Sequence, residues 1–518
     1  MPAKRSNPAP KGRAHEKSDS GKKDKVHSVA RESFGFDTLR PGQEPAIDAL
    51  LNHQDCLVVM PTGSGKSAIY QIAGMMMDGA TVVISPLIAL QKDQVDSINE
   101  SGAAEAVAIN SSQRSQEARA AVEKIEGGEG KFIFLAPEQL HRPETIELLD
   151  QAHVSLFVVD EAHCISEWGH DFRPSYLQIG PAIERLGHPV VLAMTATASP
   201  QVREEIQKRL GLRDPKVIVQ GFDRPNISLR VDHFQTVDEK LEALVRRVDW
   251  ADKPGIVYVA TRKNAETVAH ELCETGVNAA IYHAGLKADE RSAIQERFMS
   301  GDIDVIVATN AFGMGIDKAD IRFVYHFDIS ESLDNYYQEI GRAGRDGEKA
   351  EAILFFRPQD IGIRKFQSGE GKIGVDEIEK VAEAIASENH PVDTEELAEE
   401  TDLSERKLAK VIHRLEDVGS LEVLPTGEVQ MDGKVNTLEA AELAAEEAKR
   451  HQEQKREKIR YMQEYADIPG CRREHLLRYF GDRYEPPCGN CDRCEETGPR
   501  VVKDIPMDPH VGTRREVA

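Results

Sequence analysis

CLVVMPTGSGKS (residues 56–67) is a short unbroken apolar run that passes directly into a glycine-rich turn ending in Lys66 and Ser67. An apolar run with no polar alternation suits a strand buried on both faces, as in a parallel sheet covered by helices. In the turn, Thr62, Gly63, Ser64 and Gly65 are small enough for backbone N–H groups to close around phosphates at the start of a following helix. Lys66 would reach the terminal phosphates, and the Ser67 hydroxyl would hold a magnesium ion. Met60 stands where the general phosphate-loop pattern begins with glycine, but the strand before and the helix after supply the expected context. A purely structural glycine-rich turn is the plainer alternative.

Similar runs recur on both sides of this one. TVVIS (81–85), FIFLA (132–136), LFVVD (156–160) and VVLAM (190–194) alternate with longer polar, helix-like stretches. The pattern restarts with GIVYVAT (255–261), AAIYHAG (279–285), DVIVAT (304–309), FVYHFD (323–328) and EAILFF (351–356). Two α/β domains in tandem are expected, at 30–220 and 221–366, with ligands beyond the carboxyl ends of the strands and the working cleft between the domains.

At one of those strand ends, LFVVDEAH places Asp160 to hold magnesium and Glu161 to activate an attacking water. Surface carboxylates capping a strand are the alternative, and the nearby phosphate loop disfavours it. Phosphoryl transfer also needs positive charge on the transition state. GRAGRDG offers Arg342 and Arg345 from the second domain, and an arginine supplied across a cleft is worth about three to five orders of magnitude in rate. If these arginines complete the site only on closure, ATP turnover is coupled to domain motion, which is what a motor requires.

At 518 residues the chain has room for about three or four domains. No apolar run is long enough to span a membrane, and no apolar leader of the secretory kind is present, so a cytoplasmic protein without membrane contact is expected. The net charge of −24 restricts any polyanionic partner to local basic patches. One such patch is residues 1–29, with six Lys and two Arg against three acids, read as a disordered basic tail. It either grips DNA or is a solvated leader.

Beyond about residue 365 the pattern changes to short amphipathic helices. In SERKLAKVIHRLEDVG, Ser404 is placed to cap a helix carrying Leu408, Val411, Ile412, Leu415 and Val418 at helical spacing, and Gly419 to end it. A short helix before it and a hairpin around residues 425–427 after it give the order of a winged helix-turn-helix at 372–433. Arg406, Lys407, Lys410 and Arg414 on that helix could meet DNA. Glu405, Glu416 and Asp417 share it, so protein contact or a spacer role stays open.

Residues 437–466 read as one long charged helix leading into CRREHLLRYFGDRYEPPCGNCDRC. Cys471, Cys488, Cys491 and Cys494 suit tetrahedral structural zinc, with no ligand position left open for catalysis. A helical zinc-binding module is expected at 435–497 and a tail at 498–518. Cys56, Cys164 and Cys273 are read as ordinary small hydrophobes.

Taken together, PTGSGKS, SPLIAL, DEAH, TATA, VATNAFGMGID and QEIGRAGRDG stand in the order of superfamily-two helicase motifs. From FGFDTLRPGQ to CGNCDRC, about 460 positions, the chain resembles the RecQ family of DNA helicases. The resemblance implies two RecA-like domains and an ATP- and magnesium-dependent enzyme. This enzyme would translocate on single-stranded DNA with 3′ to 5′ polarity and unwind duplex junctions in recombination and repair. Recombination or single-strand-binding proteins are the implied partners.

The resemblance also suggests site residues. FGFDTLRPGQ is similar to the family's adenine-binding segment, where Phe36 can stack on the purine, the Gln43 amide can pair with adenine N6 and N7, and Arg40 can contact the nucleotide. A hydrophobic staple with a helix cap is the alternative. Gln338, in QEIGRAGRDG, is a further nucleotide contact. ISEWGHDFRPSY resembles the aromatic-rich loop linking single-stranded DNA to ATP hydrolysis through Trp168, Phe172 and Arg173. Stacking on an exposed ring is worth about 1–3 kcal/mol per base and tolerates any sequence; core packing is the alternative. Ser85, Gln91, Thr309 and Asn310 resemble positions that hold the DNA backbone.

The chain departs from the common family layout, which sets a winged helix after the zinc module. Here 24 residues follow Cys494, and the winged-helix-like segment precedes the cysteines. Two other functions remain open: an RNA helicase sharing the motor, and a DNA-annealing or scaffold protein with a vestigial one. Stimulation by DNA against RNA separates the first, and loss of unwinding in Glu161→Gln the second.

Overall fold

The computed structural model describes residues 13–61, 63–110, 115–166, 172–313, 316, 318–362, 374–388, 390–424, 428–431 and 436–497. In the first α/β domain the strands are β1 Cys56–Val59, β2 Ala80–Ile84, β3 Glu105–Ile109, β4 Gly130–Leu135, β5 Val154–Val159, β6 Val190–Thr195 and β7 Lys216–Val219. They form one sheet in the order β3-β4-β2-β5-β6-β1-β7, with every neighbouring pair parallel. The second domain has β8 Ile227–His233, β9 Gly255–Tyr258, β10 Ala279–Tyr282, β11 Val305–Ala308, β12 Phe323–His326 and β13 Ala350–Phe356. Their order is β10-β11-β9-β12-β13-β8, again all parallel.

All ten runs singled out in the sequence are strands. The three that were not, β3, β7 and β8, are all edge strands. An edge strand needs burial on fewer sides, so EAVAI, KVIV and ISLRVDH carry charged or exposed positions where a central strand carries Val or Ile.

The disordered tail expected at 1–29 is corrected from residue 13 onward, where a helix runs Arg13–Phe34. Val26 and Ala30, one turn apart, are buried in the core beneath the first sheet with Phe34 packed beside them. Lys22 Nζ donates to Leu51 O at 3.1 Å and to Asn52 Oδ1 at 2.7 Å, so part of the basic charge is spent on the domain itself.

The segment expected as a winged helix contains helices Val375–Ser387, Thr394–Thr401 and Glu405–Asp417, followed by the antiparallel hairpin β14 Leu421–Val423 and β15 Val429–Met431. Val392 adds a bridge to Val429. Ser404 takes the N-cap position, and Gly419 (φ +70°) ends the helix. The expected hairpin tip at 425–427 lies outside the described residues.

The long helix, Thr437–Asp467, spans about 46 Å at 1.5 Å per residue. Its two ends pack in different cores. The small residues Ala440, Ala441 and Ala444 close the winged-helix-like core, whereas Ile459, Met462, Tyr465 and Ala466 enter the core of the second α/β domain. Among the described residues, no helix is long and apolar enough to cross a membrane.

Candidate nucleotide cleft and DNA path

The sheet order sets the carboxyl ends of β5, β6 and β1 side by side, which brings DEAH, the Thr195–Thr197 turn and the phosphate loop together. Gly63 and Gly65 take φ of +79° and +80°, a region costly for any residue with a Cβ. Lys66, first in the helix Lys66–Met76, donates from Nζ to Met60 O at 2.9 Å and Pro61 O at 3.3 Å. Ser67 lies half-buried in the same first turn. Ser64 Oγ is buried with no hydrogen-bond partner, an orphaned donor that a phosphate oxygen would satisfy. Thr62 lies outside the described residues.

The adenine-segment side chains sit on this loop instead of facing an open pocket. Gln43 Nε2 donates to Gly65 O at 2.7 Å and Ser64 O at 3.3 Å, while its Oε1 accepts from Arg40 N at 2.7 Å. The Arg40 guanidinium donates to Gly63 O. A tight glycine turn leaves its carbonyls without ladder partners, and these two side chains supply them. Phe36 is half-buried and stacked on Phe34 at 6.0 Å between centroids.

Asp160 and Glu161 are tuned in opposite directions. Burial, reinforced by the neighbouring Glu161, pushes Asp160 up to about 7. Burial also opposes charge on Glu161, but pairing with His163, whose Nδ1 lies 3.2 Å from Glu161 Oε2, outweighs it and lowers the pKa. His163 Nδ1 is also 2.8 Å from Thr195 Oγ1. The Thr195 hydroxyl donates its own proton to Thr197 O at 3.1 Å, so it accepts from His163. Burial disfavours charge on His163, yet the Cys164 sulfur and Glu161 outweigh it and push its pKa up to about 10. Glu161 itself holds a left-handed backbone (φ +48°), an uncommon conformation for a non-glycine residue that marks functional sites.

The second domain reaches this cleft. Gln338 Nε2 donates to Thr197 Oγ1 at 3.2 Å. Arg342 is buried, donates from Nη1 to Gly313 O, and keeps Nε without a hydrogen-bond partner. Arg345 Nη1 donates to Ile316 O at 2.9 Å. The electrostatic reach of Arg342 extends to Glu161 and that of Arg345 to Lys66. Burial, with Arg345 adding to it, holds the Lys66 ammonium below its ordinary range despite the two carboxylates.

The DNA candidates divide. Ser85 and Gln91 are buried, and Gln91 Nε2 donates to Ser85 O at 2.7 Å. These two therefore shape the loop after β2, where the buried Ser85 Oγ is left without a hydrogen-bond partner. Trp168 lies outside the described residues. Phe172 and Arg173 are half-buried, and Arg173 Nη1 donates to Pro86 O at 3.3 Å. Thr309 is half-buried and Asn310 exposed at the carboxyl end of β11.

All four module cysteines bring their Sγ atoms within 4.8 Å of one another, with Cys488 and Cys494 at 3.9 Å. Tetrahedral zinc with 2.3 Å bonds needs sulfurs about 3.8 Å apart, so the donor set fits. Arg472, wholly buried, makes a bidentate pair with Asp492 at 2.5 and 2.8 Å. Arg473 holds Asp223 Oδ1 at 2.5 Å and Ile227 O at 2.6 Å, tying the module to the start of the second domain.

Sequence reasoning assigned no role to His163, Thr195 or Thr197. The signal available was TATA at the end of an apolar run, but its adjacency to DEAH follows only from the strand order.

A cleft between two parallel-sheet domains, with a phosphate loop and DEAH on one side and Gln338 reaching across from the other, is the build of a helicase motor. Residues 40–206 match the DEAD/DEAH box helicase model, 239–347 the helicase conserved C-terminal domain and 430–495 the RecQ zinc-binding domain. The chain is 38% identical over 495 residues to the probable ATP-dependent DNA helicase RecS of Bacillus subtilis, covering 95% of each. To the ATP-dependent DNA helicase RecQ of Haemophilus influenzae it is 36% identical, covering 90% of this chain and 63% of that one. The chain therefore belongs to the RecQ family of ATP-dependent DNA helicases. Among solved structures, the DUF1998 helicase MrfA bound to DNA shares the fold at TM-score 0.54 and 15% identity, over 80% of this chain and 63% of that one. Saccharomyces cerevisiae Dbp5 bound to RNA and ADP BeF3 shares it at TM-score 0.51 and 18% identity, over 67% and 92%.

Proposed function

We propose that this helicase uses ATP and magnesium to move 3′ to 5′ along single-stranded DNA and to open duplex junctions, in the cytoplasm, during recombination and repair. The observation that carries the reading is the convergence of charge from both α/β domains on one cleft: Lys66, Asp160 and Glu161 from the first, Arg342 and Arg345 from the second. Glu161 takes a proton from the attacking water. Lys66 and the two arginines offset the charge that spreads over the transferred phosphoryl group. Phe36, Arg40 and Gln43 hold the base once the loop carbonyls release them, and Gln338 reports nucleotide occupancy to the second domain. Ser67 and Asp160 are hard oxygen donors suited to magnesium, and a dication would stabilise the buried Asp160 charge. When bound, it would supply positive charge that offsets the charge on the phosphate.

On the DNA side, Phe172, Arg173, Thr309 and Asn310 contact the strand, with Trp168 supplying a stacking ring. The zinc module and the winged-helix-like unit hold the duplex, and recombination or single-strand-binding proteins are the proposed partners. ATPase stimulation by single-stranded DNA and by RNA, compared for wild type and Trp168→Ala, tests this reading. DNA should stimulate the wild type and RNA should not, and Trp168→Ala should lose the stimulation. Equal stimulation by RNA, or full stimulation without Trp168, would contradict it.

A further inference from the structure

The helix Pro200–Arg209 stands where three parts of the molecule meet. It begins directly after Thr195–Thr197, the turn that receives His163 on one side and Gln338 of the second domain on the other. Glu205 on this helix accepts from Ser166 Oγ at 2.6 Å, at the end of the DEAH turn. On its other side it meets the zinc-binding module. Arg203 Nη2 donates to Phe480 O at 3.1 Å.

Gly481, the next residue, has φ of +77°. A Cβ there would lie 2.7 Å from Arg203 Nη2 and 2.9 Å from Pro200 Cγ, so a side chain at this position would displace the Arg203 guanidinium and press on the Pro200 ring. Phe480 is fully buried. It stacks on Phe222 at 4.8 Å and packs against Tyr337 at 4.7 Å, and Tyr337 immediately precedes Gln338. One turn of the zinc module therefore touches both the helix that carries the Thr195–Thr197 turn and the helix that presents Gln338.

We propose that Arg203 and Gly481 are positioning residues for ATP hydrolysis: seating the zinc module on the helix Pro200–Arg209 fixes the Thr195–Thr197 turn, and through it His163 and Gln338. The physical route is contiguous, running from Phe480 and Gly481 to Arg203 and Pro200, along the backbone to Thr197 and Thr195, and through His163 to Glu161. It rests on the reading of Glu161 as the residue that activates water. Gln338 apart, the residues read as holding the nucleotide lie off this route, because Arg40, Gln43 and Lys66 bond to the phosphate loop itself. A loosened turn thus lowers kcat and leaves KM for ATP in place.

The test is DNA-stimulated ATPase against ATP concentration for the full-length Arg203→Ala, Arg203→Lys and Gly481→Ala enzymes, with zinc content measured on each. Arg203→Ala and Gly481→Ala should lose about tenfold in kcat, a size typical of changes along a coupled network, with KM within about twofold and zinc retained. Arg203→Lys, which can still donate to Phe480 O, should recover to within about threefold of wild type. Unchanged kcat in Arg203→Ala, no recovery in Arg203→Lys, or a loss in both alanine variants that merely tracks lost zinc overturns the proposal. Glu161→Gln, assayed alongside, separates the two readings. If it abolishes turnover while Arg203→Ala does not lower it, only the coupling fails; if it retains turnover, the reading of the site itself fails.

Discussion

Glu161 shows how much one side chain is asked to do. Its left-handed backbone costs about 1–3 kcal/mol, its carboxylate is kept ionised by His163, and Asp160 beside it is pushed toward neutrality. Removing its charge without its shape should remove proton abstraction and little else. Glu161→Gln is expected to lower ATPase kcat about 10²–10⁴-fold with ATP binding within about threefold of wild type, and a kcat loss below tenfold contradicts this role.

His163 makes a separate prediction. Its pKa rises from 6.5 to about 10 on folding, so its stabilising contribution is full below pH 6.5 and is lost as pH climbs toward 10. Urea midpoints measured across that window should fall for the wild type and fall less for His163→Asn; parallel slopes would exclude the buried imidazolium. Lys66, Asp160 and Glu161 were legible because each sits in a local strand-end motif. His163 was not, since its orientation is set by Thr195, 32 residues away on the neighbouring strand.

The zinc module and the strands around it obey the same division between local and distant signals. Central strands announce themselves as unbroken apolar runs, whereas β8 is completed by contacts that no periodicity reveals. Leu229 of β8 pairs with Cys491, and its N–H donates to Asn490 O at 3.2 Å. Arg472 and Arg473 were visible beside the first cysteine, but their partners Asp492 and Asp223 were not. Zinc in such sites contributes about 10–16 kcal/mol of folding free energy. Chelation, or Cys488→Ser, should therefore unfold residues 471–497, uncover the β8 edge and make the chain cleavable there by trypsin; a resistant, zinc-free module would contradict this. Arg472→Ala leaves Asp492 buried without its partner, which should cost about 3–5 kcal/mol, read as a lowered unfolding midpoint for the module. The basic N-terminal stretch was misread because Val26, Ala30 and Phe34 are diluted by charge, and only the core they meet makes them an apolar face.

Three connections bind the chain into one machine. Gln338 joins the second domain to the Thr195–Thr197 turn, the zinc module wedges Phe480 beside Phe222 and Tyr337, and the long helix Thr437–Asp467 carries the winged-helix-like core on the second domain. These contacts form a continuous path from the cleft to the parts proposed to hold the duplex. Lys407, one of the basic residues that could meet DNA from the winged-helix-like unit, pairs with Glu377 within that unit while staying partly exposed. Tandem motor domains and the order of the later modules could be read from the sequence. Their mutual seating could not, because it rests on single buried contacts between residues far apart in the chain.

The central claim is that ATP turnover in the two-domain cleft drives directional movement on one DNA strand. Its most direct test is strand separation with ATP of duplexes carrying a 3′ tail, a 5′ tail or a fork. The 3′-tailed and forked substrates should open while the 5′-tailed one stays paired, and Glu161→Gln should open none of them. Failure to open the 3′-tailed duplex, or equal opening of both tailed duplexes, would contradict it.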